Sequence, residues 1–368
     1  MSLILTFLGV DTRSKIAIAA AKTMASQGKR VLLAATASPK LQTLLGVPLT
    51  PDPQEIAANL QVVQLQTSVL IERGWEEIKK LEAQYLKSPI MKEVYGQELP
   101  VLPGMDSALI LNALRLYDDS GKYDVIIYES SGDSSTLRMF GIAESISWYV
   151  RRFRQLFVNS DLGKTITESP LVQPLISSLF NVNWTSDNFS APTNQINEFL
   201  DKGKAALSDP KRAAAFLVTS EDPAEIANAR YLWGSAQQVG LTVGGVIALS
   251  ASPTASLSEA LSQEFVPLPV SIVGDAKAGE LQRLIENLPD FASQAQQAPK
   301  PIEIDINGRQ VRLFLPGFDK KQVKLTQSGP EVTIEAGDQR RNIFLPPALN
   351  GRPVTGAKFQ NQYLVISF

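Results

Sequence analysis

The chain has 368 residues, of which 44% are hydrophobic and 20% are charged, and its formal net charge is -2. This length is sufficient for two or three domains with a large buried core. The charge is nearly balanced, so no nucleic-acid partner is expected. Cysteine and histidine are both absent. Their absence excludes disulfides, thiolate nucleophiles, zinc sites built on cysteine or histidine, and Ser-His-Asp catalysis.

The amino terminus is a short apolar run, Met1 to Gly9, without the basic residues that begin a signal peptide. We interpret this run as a buried first strand. No uncharged apolar stretch reaches the roughly 18 residues that a transmembrane helix needs, so no integral membrane segment is expected. Together with the lack of cysteine, these features favour a cytoplasmic protein.

Continuous apolar runs alternate with helix-like segments over the first three quarters of the chain. Apolar strands separated by helices are typical of a parallel sheet that is covered on both faces. The sequence therefore predicts an α/β fold with a doubly wound, mostly parallel sheet. The predicted strands are residues 3–8, 30–35, 123–128, 214–219 and 243–249, and the predicted helices are residues 15–28, 106–117 and 223–240.

The strand pattern stops over about residues 139–210, where apolar residues recur at helical spacing and predict a helical insertion. Ordinary packing of these helices into the core would explain the apolar residues. An apolar groove that holds a client segment would explain them as well, and both interpretations stay open. The residues that carry the pattern are Trp148, Tyr149, Phe153, Leu156, Phe157, Leu171, Leu175, Ile176, Leu179 and Phe180.

The last part of the chain has a different pattern. Residues 291–301 are rich in glutamine and alanine and end in prolines, which predicts a linker. In residues 302–368 the apolar positions alternate with a period of two, and turn signals such as Asn307-Gly308 separate the runs. We therefore predict a main domain over residues 1–290, the linker, and a small all-β sandwich.

The first predicted strand leads into residues 9–16, and a helix follows. A phosphate-binding loop has the pattern G-x-x-x-x-G-K-[ST] in this context, and Gly9 and Lys15 match it. The predicted fold is therefore like that of the P-loop nucleotide-binding proteins. Ser14 replaces the second glycine, and Ile16 replaces the hydroxyl that binds Mg²⁺. Alternatively, Lys15 simply begins a helix. The candidate nucleotide-binding residues of this loop are Gly9, Asp11, Thr12, Arg13, Ser14, Lys15 and Ile16.

The loop and several later segments resemble the ArsA-type anion-transporting ATPases and the related ATPases that target tail-anchored membrane proteins. The family loop reads G-K-G-G-V-G-K-T, so Val10 replaces the signature lysine and Asp11 replaces a glycine. Residues 35–39 resemble the family's S-T-D-P-A but lack its aspartate. Residues 129–138 resemble D-T-A-P-T-G-H-T-L-R and match its last three residues. The resemblance thus makes Glu129, in place of the first aspartate, the candidate catalytic residue.

The resemblance also implies that Glu221 and Asp222, which follow a predicted strand, lie near the nucleotide base. Residues 313–318 and 340–346 are similar to the small-heat-shock-type sandwich that some family members carry. The implied ligand is ATP or ADP, with Mg²⁺ as its companion ion although the usual hydroxyl ligand is missing. The implied assembly is a homodimer or a dimer with an intact relative.

The replaced residues lie in three separate segments on which phosphoryl transfer depends for positioning and charge stabilisation. We therefore expect a degenerate member of the family with weak or absent ATP hydrolysis. Its expected role is that of a chaperone or targeting-like module for apolar client segments. Two alternatives stay open: a working ATPase that uses Lys15, Arg13 and Glu129, and a regulatory partner of an intact relative.

Overall fold

The computed structural model describes residues 1–36, 38–85, 93–149, 200–252, 254–274, 284–285 and 287–368. The chain is helical over residues 142–149 and 200–208, at the two ends of the predicted insertion. The rest of that insertion lies outside the described residues. So do most of the residues that carry its apolar pattern, namely Phe153, Leu156, Phe157, Leu171, Leu175, Ile176, Leu179 and Phe180.

Eight strands form the main sheet. They are β1 (Leu3–Gly9), β2 (Val31–Thr36), β3 (Gln54–Ala57), β4 (Leu60–Leu65), β5 (Val125–Glu129), β6 (Ala213–Ser220), β7 (Val243–Ser250) and β8 (Val270–Gly274). Their order is β3-β4-β2-β5-β1-β6-β7-β8, and every neighbouring pair is parallel except β3 with β4. The prediction of a mostly parallel sheet is confirmed. Sequence reasoning missed β3, β4 and β8, because glutamines interrupt the apolar run of β4 and the other two strands are only partly buried.

Helices cover both faces of the sheet. The helices are α1 (Arg13–Ser26), α2 (Pro39–Leu45), α3 (Thr67–Tyr85), α4 (Met105–Asp119), α5 (Ser134–Phe140), α6 (Pro223–Gln238), α7 (Ala255–Glu264) and α8 (Phe291–Gln297). Along β1, Leu5 and Phe7 belong to one apolar cluster, whereas Leu8 belongs to the cluster on the opposite face. Burial on both faces explains why the strand is apolar without alternation. No helix in the described part of the chain is both long and apolar enough to cross a membrane.

The linker predicted over residues 291–301 is wrong in its first part, because α8 occupies residues 291–297. The ring of Phe291 packs edge-on against Phe7 and Phe216, with ring centroids 5.6 Å and 4.8 Å away. Ala295, one helical turn later, is also buried. The other positions of this short helix hold mainly serine and glutamine, so its composition resembles that of a linker while one narrow face belongs to the core.

The carboxyl-terminal region forms the predicted sandwich. Its strands are β9 (Ile302–Asp305), β10 (Gln310–Phe314), β11 (Val323–Ser328), β12 (Glu331–Ala336), β13 (Gln339–Phe344), β14 (Gly356–Gln360) and β15 (Tyr363–Ser367). They pair antiparallel in a four-stranded sheet, β14-β15-β10-β9, and a three-stranded sheet, β11-β12-β13. The alternating apolar residues of these strands form a separate core between the sheets.

The sandwich packs closely on helix α6. Phe314 belongs to the apolar cluster of the main domain, and its ring lies 5.5 Å from that of Trp233. A Cβ added at Gly234 would lie 2.3 Å from the carbonyl oxygen of Pro316 and 2.5 Å from the ring of Phe318. Only glycine allows this approach, so the contact depends on the absence of a side chain at position 234.

We expect Gly234→Ala to loosen the contact between the sandwich and α6. The added methyl group overlaps a backbone carbonyl, and overpacking of this kind costs about 1–3 kcal/mol. The expected result is a lower midpoint of thermal unfolding and faster proteolytic release of the sandwich. Asn228→Ala, on an exposed position of the same helix, is the matched control. Equal behaviour of the two variants would contradict the prediction.

Candidate functional site

The loops that follow β1, β5 and β6 meet at the carboxyl edge of the sheet. From β1 the chain crosses to β2 on one side, and from β5 it crosses to β6 on the other side. Ligands of open α/β sheets bind outside the carboxyl ends of the strands at such a reversal. The candidate residues of the first loop and Glu129 are therefore brought together at the place where the fold favours a ligand.

The backbone of Gly9 lies against the loop after β5 on one side and against strand β6 on the other. Its amide donates to the carbonyl oxygen of Gly132 at 2.8 Å. Its φ is +118°, and a Cβ would lie 2.1 Å from the carbonyl oxygen of Val218 on β6. The fold therefore requires glycine at position 9 for packing, independently of any phosphate.

The guanidinium group of Arg13 fills the space between the loops after β1 and β5. Its Nε donates to the carbonyl oxygen of Ser130 at 3.0 Å, and its Nη1 donates to those of Gly9 and Val10, both at 3.3 Å. Only 12% of the side chain is exposed. A Cβ at Gly132 would lie 2.4 Å from the Cδ and Nε of Arg13. An internal cation thus binds the two loops to each other.

Ser14 and Glu129 form a buried pair, and the carboxyl group of Glu129 is within electrostatic reach of Arg13. The hydroxyl of Ser14 donates to Oε1 of Glu129 at 2.6 Å, and both residues are buried. Burial raises the pKa of Glu129, and the bond from Ser14 and the charge of Arg13 act against that rise. The serine at the second-glycine position therefore joins the helix to the end of β5.

The outer side of the loop carries a small ion-pair network. Nζ of Lys40, on α2, lies 3.2 Å from Oδ2 of Asp11 and donates to the carbonyl oxygen of Asp11 at 2.9 Å. Arg13 lies 3.4 Å from Oδ1 of the same aspartate. The hydrogen bond and the charge of Lys40 lower the pKa of Asp11. Sequence reasoning missed Lys40; its position just after the end of β2, at the same edge of the sheet, is the signal that could have found it.

The remaining loop residues take structural positions at the start of α1. Thr12 precedes the helix, and its carbonyl oxygen accepts from the amides of Lys15 and Ile16. Lys15 is partly buried. Ile16 is fully buried in the apolar cluster on that face of the sheet. Mg²⁺ takes oxygen ligands, so the side chain at position 16 does not fit the ion where the family motif would place it.

Glu221 and Asp222 lie at the same edge of the sheet, directly after β6. The carboxylate of Asp222 accepts from the amide of Ala224 at 2.7 Å and caps the start of α6. Glu221 is exposed. An N-cap aspartate stabilises its helix by about 1 kcal/mol, which gives Asp222 a structural role of its own.

We expect Glu129→Gln to stabilise the protein at neutral pH and to remove part of its pH dependence. Because the folded-state pKa of Glu129 is raised, the folded protein retains this proton at pH values where the unfolded chain has lost it. Stability therefore falls as the pH rises from the ordinary glutamate pKa through the raised pKa, and stays level above it. Glutamine keeps an acceptor for Ser14 and lacks the ionisation.

The measurement is the midpoint of urea unfolding between about pH 4 and about pH 8. Glu221→Gln, which changes an exposed carboxylate at the same edge, is the control. A fall of stability with rising pH that is equally steep in the wild type and in Glu129→Gln would contradict the prediction.

Comparison with curated proteins finds relatives that match nearly the whole chain. A protein of Chlorobaculum tepidum whose name describes an arsenical pump-driving ATPase is 22% identical over 394 residues, covering 99% of this chain and 95% of that protein. A similarly named protein of Aquifex aeolicus is 20% identical over 347 residues, covering 85% of this chain and 84% of that protein. An uncharacterized protein of Streptomyces coelicolor is 22% identical over 386 residues, covering 100% and 97%.

Comparison with family models gives two matches that together account for most of the chain. Residues 306–368 match a family described as an HSP20-like domain found in ArsA. Residues 9–250, well over half of the chain, match the family described as anion-transporting ATPase. The chain therefore belongs to the ArsA family of anion-transporting ATPases and carries the HSP20-like domain at its carboxyl end.

Proposed function

We propose that this protein is a degenerate member of its family that serves as a chaperone or targeting-like binding module, with weak or absent ATP hydrolysis. The observation that carries the proposal is the position of Arg13, whose guanidinium group binds three main-chain carbonyls between the loops after β1 and β5. Those loops would hold the phosphates of a nucleotide in a working relative. In this chain they already hold each other.

The charges around the loop support the same proposal. A phosphate cradle consists of backbone N–H groups that approach the anion closely, and it needs glycines to do so. Asp11 adds a negative charge at one of these positions, and the hydroxyl of Ser14 is engaged with Glu129. Ile16 offers no oxygen to Mg²⁺. Phosphoryl transfer depends on positioning and charge stabilisation, so these changes together remove most of what accelerates it.

Two observations favour the binding of apolar client segments. The chain resembles ATPases that target tail-anchored proteins, and residues 139–210 are predicted to form an insertion with an apolar sequence pattern. The family fold then serves as a scaffold, and the insertion binds apolar segments.

Two alternative functions remain as outcomes of the test. A working ATPase would use Lys15, Arg13 and Glu129, and a regulatory partner would act on an intact relative in a dimer.

The test measures nucleotide binding and phosphate release by the purified full chain, with ATP and with ADP, in the presence and absence of Mg²⁺. We expect phosphate release indistinguishable from that of Lys15→Ala, and at least about a thousandfold below the ~10 s⁻¹ that is the median turnover number of enzymes. Mg²⁺-dependent turnover that disappears in Lys15→Ala would overturn the proposal and favour the working ATPase.

A second variant tests the role of Arg13 directly. Arg13→Val, which introduces the family residue, removes the internal cation and is expected to raise the affinity for ADP at least about tenfold if the cation keeps the loops closed. Arg138→Ala, which changes an arginine on α5 that pairs with Asp338 of the sandwich, is the matched control.

Co-purification of an intact relative with the wild type, without any capture of apolar peptides, would instead favour the role of a regulatory partner.

A further inference from the structure

The carboxylate of Asp11 bridges two cations on the outer side of the loop after β1. Its Oδ1 lies 3.4 Å from Nη1 of Arg13, and its Oδ2 lies 3.2 Å from Nζ of Lys40 on α2. The side chain of Asp11 is 87% exposed, whereas that of Arg13 is largely buried. Two cations that each contact one oxygen of the same group are typical of the way in which proteins hold a small oxyanion.

Both cations have donors for an anion at this position. Nε and Nη1 of Arg13 donate to main-chain carbonyls, but Nη2 makes no hydrogen bond within the described part of the chain. Nζ of Lys40 donates to the carbonyl oxygen of Asp11 at 2.9 Å, and an ammonium group has two further N–H donors. The bonds to the main chain therefore persist when another anion takes the place of the carboxylate.

The other carboxylates at this edge of the sheet have different positions or partners. Asp133 and Asp222 accept from the first amides of α5 and α6. Glu129 is buried and accepts from Ser14, and burial raises its pKa. Glu221 is exposed and forms no ion pair with a described residue. Asp11 is thus the exposed carboxylate that contacts both cations.

We propose that Asp11 is an internal substitute for an inorganic phosphate ion, because its carboxylate occupies the position between Arg13 and Lys40 in which this anion would bind. The hydrogen bond and the charge of Lys40 lower the pKa of Asp11, so the carboxylate is ionised at neutral pH. A phosphate at the same position would meet a like charge at contact distance, which opposes its binding.

The contact of Asp11 with the two cations is therefore autoinhibitory. It also holds the loop in the arrangement that a bound anion would otherwise stabilise. Because the phosphate would lie on the outer side of the loop, its binding does not require the loops after β1 and β5 to separate.

The experiment titrates the purified full chain and its Asp11→Ala variant with inorganic phosphate, by calorimetry and by the midpoint of thermal unfolding, at an ionic strength held constant with chloride. We expect Asp11→Ala to bind phosphate at least about tenfold more tightly than the wild type. Phosphate is expected to raise the unfolding midpoint of this variant, because a ligand that binds only the folded state stabilises it. The midpoint of the wild type is expected to stay unchanged.

Two further variants decide whether the gain is specific. Lys40→Met in the Asp11→Ala background removes one of the cations and is expected to return phosphate binding to the wild-type level. Asp52→Ala removes another exposed aspartate, which lies 2.9 Å from Arg73, and is expected to respond like the wild type.

Equal phosphate affinity of the wild type and Asp11→Ala would overturn the proposal. So would an equal gain in Asp52→Ala, or a gain that persists when Lys40→Met is added. None of these measurements involves a nucleotide or an apolar peptide, so failure here is distinct from failure of the proposed function.

Discussion

Strand β1 pairs with β5 on one side and with β6 on the other, and this double pairing forces three loops to meet at one edge of the sheet. A Cβ added at Gly9 would lie 2.1 Å from the carbonyl oxygen of Val218, so no side chain has room there. The glycine that matches the phosphate-loop motif is thus already required by the sheet. Its presence follows from the fold and carries no information on whether a nucleotide binds.

The charge arrangement at this edge depends on that same approach. Once the loops after β1 and β5 are close together, their carbonyl oxygens offer acceptors to a cation, and the guanidinium group of Arg13 takes three of them. A hydrogen bond to a charged group contributes about 1.5–3 kcal/mol to the stability of the folded protein when its geometry is good. The two bonds of Arg13 that are 3.3 Å long contribute less. A nucleotide would have to compete with an arrangement that the chain makes for itself.

Helix α6 connects this edge with the sandwich. Asp222 caps the first turn of α6 at the edge of the sheet where the loops meet. About three turns later, Gly234 of the same helix contacts Pro316 of the sandwich. Phe314 of the sandwich is part of the apolar cluster of the main domain. The sandwich is therefore docked on the core through α6, the helix whose first residue follows the loop after β6.

The sequence by itself determined the features that depend on local burial. Runs such as Leu3–Gly9 are apolar because both faces of a parallel strand are covered, and the alternation after residue 302 reflects a sandwich with one covered face per sheet. The glycine, the lysine and the isoleucine of residues 9–16 are equally readable from the chain, because the motif with which they are compared is contiguous.

Only the tertiary structure decided what these residues contact. Phe291 looks like part of a linker until Phe7 and Phe216, far away in the chain, surround its ring. Arg13 looks like a residue available to phosphate until the loop after β5 supplies Ser130 as its acceptor. Periodicity records how deeply a residue is buried, whereas the identity of its neighbours depends on how distant strands pair, and no local pattern contains that information.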